Sequence, residues 1–254
     1  MSIGFFDSGL GGISVLKKAI QLMPDEDYIY FGDSANAPYG EKSKEDIVNL
    51  TLNSVKILIE KDIKAIVIAC NTATAYAIDQ IRSLYSDKLL IIGIEPAIKP
   101  AVFLKSHHIL LLATNATLNQ ENLKEKIDHY KICSEIIPIG APKLVEFIEA
   151  GVYNGNDVEN YIKDILKDYL HMSNLTVVLG CTHFPFFKSS LKKILHKDAI
   201  LLDGSDGTSK RLKDQLLKCS LRKDSSENGK ITFLNSLKND KIISRCFELL
   251  ELDI

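Results

Sequence analysis

The sequence predicts an α/β fold of two similar lobes, each a mostly parallel sheet flanked by helices, the lobes related by a pseudo-twofold axis. Three observations carry this expectation. Short runs are apolar at consecutive rather than alternate positions, as in strands covered on both faces. Amphipathic stretches of helical spacing lie between them, the sequence form of right-handed βαβ units. The motifs that end the strands also recur in the same order in the two halves of the chain.

The first apolar run, residues 4–6, leads into Asp7-Ser8. Runs at 28–31, 65–69 and 90–94 follow, the one at 65–69 leading into Cys70-Asn71-Thr72. A second set begins at 108–113, which ends in Thr114, and continues at 135–139, 175–179 and 199–202. Its third member leads into Cys181-Thr182-His183. Helical patterns cover 47–60, 118–130 and 158–170. A duplicated lobe would place both cysteines at the carboxyl ends of corresponding strands, where open α/β sheets bind ligands. Chance recurrence of strand–turn–helix punctuation is the alternative. Residues 95–100, with two prolines, form a crossing between lobes, and 203–207 form another. From Lys210 the chain returns to the first lobe, so residues 1–97 plus 208–254 make one lobe and 98–207 the other. Residues 225–229 read as a surface turn.

Composition narrows the classes of function. The net charge of −2 excludes a general basic footprint for nucleic acid and offers no attraction to an anionic membrane. No run approaches the length of a spanning helix, and the start lacks a basic n-region and a long apolar core, so a cytoplasmic location is expected. The five cysteines are odd in number and contain no C-x-x-C pair, which argues against a disulfide framework or a zinc knuckle. His107-His108 reads as a solvated turn rather than as metal ligands.

Three segments carry chemistry. In Phe6-Asp7-Ser8-Gly9-Leu10-Gly11-Gly12 the glycines let backbone N–H groups approach a ligand, but the spacing is not that of a dinucleotide loop, and Asp7 would repel a pyrophosphate. Asp7 suits an ammonium group or a thiol that must lose its proton; a helix N-cap is the plainer reading. In Ala69-Cys70-Asn71-Thr72-Ala73 a thiol sits at a strand end beside polar groups, where a helix N-terminus would lower its pKa. A small buried spacer is the alternative. Gly180-Cys181-Thr182-His183-Phe184-Pro185 repeats the arrangement, with an imidazole added. A hydrolase needs one nucleophile and one base, a metal site three or four ligands. Two matched thiols instead suit proton exchange at a carbon acid, one group on each face. A non-catalytic ligand-binding α/β protein leaves both cysteines unexplained, and a cysteine hydrolase built on Cys181 and His183 leaves out Cys70.

Together with Tyr30-Phe31-Gly32-Asp33-Ser34 and Pro38-Tyr39-Gly40, these segments resemble, in order and over essentially the whole chain, the glutamate racemases of the aspartate/glutamate racemase superfamily. The resemblance implies interconversion of L- and D-glutamate at an active site between the lobes, with no pyridoxal phosphate, other cofactor or metal, and supply of D-glutamate for peptidoglycan. It makes Cys70 and Cys181 the catalytic pair, with Asp7 assisting the first and His183 the second. Ser8, Asn71 and Thr182 would hold the α-amino and carboxylate groups, with Thr72 nearby. Pro38, Tyr39 and Gly40 would form a wall, although Tyr39 also suits a packing role. Thr114 and Thr117 resemble the grip on the side-chain carboxylate. Glu149 resembles a further acid near the second cysteine, with Glu146 the alternative. Cys133, Cys219 and Cys246 are left as structural. The expected partner is glutamate, with no nucleic acid and no membrane, in a chain whose relatives are often homodimers. Aspartate or hydantoin racemases and malonate-type lyases are the neighbouring readings.

Overall fold

The computed structural model describes residues 1–106 and 108–254. Strands β1 (Ser2–Asp7), β2 (Tyr28–Gly32), β3 (Ile63–Ile68) and β4 (Leu90–Gly93) alternate with helices α1 (Ile13–Leu22), α2 (Lys44–Ile59) and α3 (Asn71–Tyr85). Helix α4 (Ile98–Phe103) crosses to β5 (His108–Ala113), α5 (Asn115–Leu118), α6 (Glu121–Tyr130) and β6 (Glu135–Gly140). Then come α7 (Pro142–Ala150), α8 (Asn156–Ile165), β7 (Leu175–Leu179), α9 (Lys188–Ile194) and β8 (Ile200–Asp203). The chain ends with α10 (Ser205–Lys218), β9 (Ile231–Asn235) and α11 (Asp240–Glu251).

The sheets have the orders β4-β3-β1-β2-β9 and β6-β5-β7-β8, and every pairing is parallel. Each places its first strand centrally, its second on one side, and its third and fourth on the other. The two lobes therefore share one winding, and β3 and β7, which deliver the cysteines, occupy equivalent places. The first lobe has one strand more, β9, beside β2.

Period-2 alternation sorts each strand's side chains into two apolar layers. Phe5, Val67, Leu110 and Val177 join one core continuous through both lobes. Their neighbours Phe6, Ile66 and Ile68 pack with Ile47, Val55, Ala73 and Ala77 of α2 and α3. Leu111 and Val178 pack with Ile98, Leu123 and Ile127 beneath α4 and α6. Burial of each large side chain contributes roughly 1.5–3 kcal/mol.

Several sequence expectations need correction. Helix 47–60 begins earlier, at Lys44, because Ser43 accepts a hydrogen bond from the Asp46 N–H and caps it. The single helix at 118–130 is two: Thr114 caps α5, and extended Gln120 restarts the ladder by accepting from Leu123 N–H at 2.8 Å. The helix expected over 158–170 spans Asn156–Ile165 instead and ends in a turn in which Tyr169 N–H donates to Leu166. Strand β9 carried no clear signal, since the polar Thr232 and Asn235 interrupt its apolar run. His108 opens β5 rather than a turn, its Nδ1 2.8 Å from Glu135; His107 lies outside the described residues.

Helix α10 packs on α1 and β4 and carries the chain back to the first sheet. A buried ionic cluster fastens this return. Glu26, fully buried, pairs with Lys64 at 2.6 Å and with Arg222 at 2.9 Å. The Lys64 ammonium also donates to the Leu221 carbonyl.

Candidate active site

The carboxyl ends of β1, β3 and β7 converge with the first turns of the elements that follow them. Asp7 ends β1 and is wholly buried. Its carboxylate accepts from the Gly9 N–H at 2.8 Å and from the Thr182 hydroxyl of the other lobe at 3.0 Å. Burial raises its pKa, against the lowering pull of His183. Helix α1 is capped not by Asp7 but by the Gly12 position, without a side-chain bond. Asp7 is instead the floor of the loop.

Glycine is required in that loop for close approach to the second lobe. A Cβ at Gly9 would lie 2.0 Å from Glu149 Oε1, and one at Gly11 would lie 2.3 Å from His183 Nδ1. The side-chain-free loop lets Leu10 N–H donate to Glu149 Oε1 at 2.7 Å. Ser14, at the start of α1, adds a hydroxyl 2.8 Å from the Thr182 carbonyl oxygen.

Cys70 caps α3, with its sulfur accepting from Ala73 N–H at 3.4 Å and donating toward the Ser8 hydroxyl at 3.5 Å. The expectation of a lowered pKa at this helix N-terminus is overturned. Burial pushes the thiol up to about 12, and the Asp7 charge adds to the rise. Desolvation of an anion outweighs two weak hydrogen bonds to sulfur. Asp7 acts on Cys70 through its charge and makes no hydrogen bond to it.

Cys181 is equally enclosed, 6% exposed against 5% for Cys70. His183 Nδ1 lies 3.6 Å from its sulfur, and His183 Nε2 lies 2.8 Å from Glu149 Oε1. Burial works against an imidazolium here, but hydrogen bonds to Cys181 and Glu149 prevail and raise the His183 pKa well above its ordinary value. The two thiols are near enough that charge on Cys181 raises the pKa of Cys70.

The other expected residues surround this pair. Asn71, first in α3, is buried with neither amide atom hydrogen-bonded. Thr72 Oγ1 lies 3.0 Å from Thr114 and 3.2 Å from Thr117, so a cluster of three hydroxyls spans the lobes. Gly40 lies against Thr114, where a Cβ would come within 2.9 Å of the threonine Cβ. Tyr39 is buried beside Phe6, and its hydroxyl donates to Asp33 at 2.7 Å. That bond occupies the phenol and fits packing. Pro38 lines a cavity of about 360 Å³ on the outer side of Glu149, together with Ser34, Glu146 and Arg245. Only Glu149 of the two neighbouring glutamates touches His183; Glu146 is exposed. Asn71 and Thr117 line a second cavity, of about 160 Å³.

Sequence reasoning missed Asp33, Asn235 and Arg245. Asp33 lay within a motif already singled out, but the other two sit far along the chain in segments with no chemical signature. Among the described residues, no group of three His, Cys, Asp or Glu side chains is placed to hold a metal. None of the described helices is long and apolar enough to cross a membrane.

Comparison with known proteins agrees with the duplicated architecture. Residues 9–206 match the family model Asp/Glu/Hydantoin racemase. A glutamate racemase of Clostridium perfringens is 47% identical over 251 residues, covering 98% of this chain and 96% of that protein. Glutamate racemase from Francisella tularensis, solved in complex with D-glutamate, superposes with a TM-score of 0.83 at 32% identity over 100% of this chain and 94% of that one. The Escherichia coli glutamate racemase, solved with L-glutamate and the activator UDP-MurNAc-ala, has a TM-score of 0.84 at 30% identity, covering 98% and 95%. With likeness running through both lobes, the chain belongs to the Asp/Glu/hydantoin racemase family and stands among its glutamate racemases.

Proposed function

We propose that this protein interconverts L- and D-glutamate by a two-base transfer of the α-proton between Cys70 and Cys181. The observation that carries the reading is the pair of buried thiols at equivalent strand ends of a duplicated fold, near enough that charge on Cys181 is felt at Cys70. Relatives named glutamate racemase, two of them solved with glutamate enantiomers, support the substrate.

An α-hydrogen beside a carboxylate is a very weak acid, so the base must be a desolvated anion and the developing charge must meet preorganised donors. In one direction a thiolate at Cys181 takes the proton, with the His183 imidazolium as its counter-ion, and the Cys70 thiol delivers another to the opposite face. A thiol held protonated up to about 12 suits the donor role. In the other direction the roles exchange, and the ammonium group of the substrate offsets the charge of Asp7 and a Cys70 thiolate. Asn71 brings two unpartnered amide atoms that a bound zwitterion would satisfy, with Ser8 and Thr182 beside it. The Thr72, Thr114 and Thr117 hydroxyls serve as donors to the side-chain carboxylate. No cofactor enters the scheme, and supply of D-glutamate for peptidoglycan in the cytoplasm is the role that follows.

The test is incubation with L-glutamate in deuterated water without added cofactor, followed by chiral analysis and mass spectrometry. D-glutamate carrying one α-deuterium is expected, and Cys70→Ser or Cys181→Ser should abolish its formation. Undiminished racemisation in either serine variant rules out the two-thiol scheme. Activity on aspartate in place of glutamate would move the protein to a neighbouring specificity.

A further inference from the structure

The lobes repeat one another, yet their thiols are served differently. Among the described residues Cys70 hydrogen-bonds only with the Ser8 hydroxyl and the Ala73 N–H. Cys181 stands at the end of a relay through His183 to Glu149. Glu149 in turn is held from the first lobe. Ser34 Oγ lies 3.4 Å from Glu149 Oε2, and Asn235 Nδ2 donates to Ser34 Oγ at 2.9 Å. Arg245 Nη1 donates to the main-chain carbonyl of Glu149 at 2.5 Å.

Asn235 ends β9 and Arg245 lies in α11, the strand and helix that the second lobe lacks. The contact needs the end of α7 to be open. Gly151 closes that helix at φ +82°, and a Cβ there would lie 2.9 Å from Arg245 Nη2. A free glutamate side chain spreads over many rotamers, so fixing its oxygens requires partners that restrain both carboxylate and backbone. The pose of the carboxylate decides which nitrogen of the imidazole is bonded and how the other meets its neighbour.

We infer that Arg245, and Asn235 acting through Ser34, are positioning residues that lock Glu149 against His183 and so set the reactivity of Cys181 far more than that of Cys70. The C-terminal return thus makes a two-fold fold chemically asymmetric. The inference rests on reading Cys181 as one of two bases, but its test does not require turnover.

Alkylation by iodoacetamide, read peptide by peptide by mass spectrometry, gives the rates at Cys70 and Cys181 separately. Arg245→Gln and Ser34→Ala should each change the Cys181 rate by about tenfold, in the direction that His183→Asn changes it, the size expected for one hydrogen bond to a charged group. Cys70 should change far less, through its weaker coupling to Cys181, and Arg245→Lys, which keeps the cation, should recover most of the effect. Equal changes at both thiols, or an unchanged Cys181 in folded variants, overturn the inference. Should Arg245→Gln fail to fold, Ser34→Ala on its half-buried turn decides alone. In the glutamate assay the primary deuterium isotope effect on kcat/KM should grow for one enantiomer only, the same one that His183→Asn affects. A wild-type protein inactive on glutamate would defeat the functional reading while leaving the alkylation result decisive.

Discussion

Asp7 shows how burial turns an ordinary residue into a charged floor. Its folded-state pKa lies above the usual 3.8, so it favours the fold at acid pH and that contribution is lost as pH rises through the raised value. At neutral pH the buried carboxylate opposes folding, and an amide of the same shape would not. Asp7→Asn is therefore expected to keep or raise the melting temperature at pH 7, with a smaller advantage at pH 4. Turnover should fall about a hundredfold or more, the scale of a lost acid–base partner. Calorimetry beside steady-state kinetics checks both halves. A large drop in melting temperature with near-normal turnover would make Asp7 a loop fastener only. The residue type and its place after a strand were readable in the sequence. Its hydrogen bond to Thr182, a residue of the other lobe, was not, because nothing in a linear pattern records which distant turn comes to face it.

Among elements, the loop between β1 and α1 carries the most information. Its glycines suggested backbone approach to a ligand, and the structure shows that they also admit the side chains of Glu149 and His183. Gly11→Ala would force its Cβ against His183 Nδ1, and an overpacked interior of this kind costs about 1–3 kcal/mol. The denaturant midpoint should fall accordingly, with turnover lost as the imidazole is displaced. Gly207→Ala in α10 is the control: no atom lies within 4 Å of the added Cβ, and the midpoint should hold or rise. Equal behaviour of the two variants would mean that the loop has room to shift. Strands β1 to β8 were legible because both-sided apolar runs survive as a local signal. Strand β9 was not, since the polar Thr232 and Asn235 break its apolar run, although it brings Asn235 to the site.

At the scale of the whole molecule, one core passes through both lobes, and the chain crosses between them twice. The return to the first sheet is secured by Glu26, which holds Lys64 and Arg222 together out of water. Removing Glu26 leaves the buried Lys64 ammonium without its counter-ion, while Arg222 keeps its pair with Asp25, at a cost of about 3 kcal/mol or more. Glu26→Gln should lower the unfolding free energy by that amount, read as a lower denaturant midpoint, and loosen residues 221–235 first, as faster amide exchange there would report. An unchanged midpoint would show that the Leu221 carbonyl suffices for Lys64 and Asp25 for Arg222.

The sequence by itself determined the class of fold, the repetition of its lobes and the two turns that carry thiols. Those features rest on periodicity and on neighbouring residues, and both are local. Tertiary structure decided what depends on contact between distant segments. It brought Glu149 rather than Glu146 to His183, and it joined the hydroxyls of Thr72, Thr114 and Thr117 across the lobes. It also raised the Cys70 thiol where a helix N-terminus alone would have lowered it, because the strength of a charge is set by how much water the whole fold excludes around it.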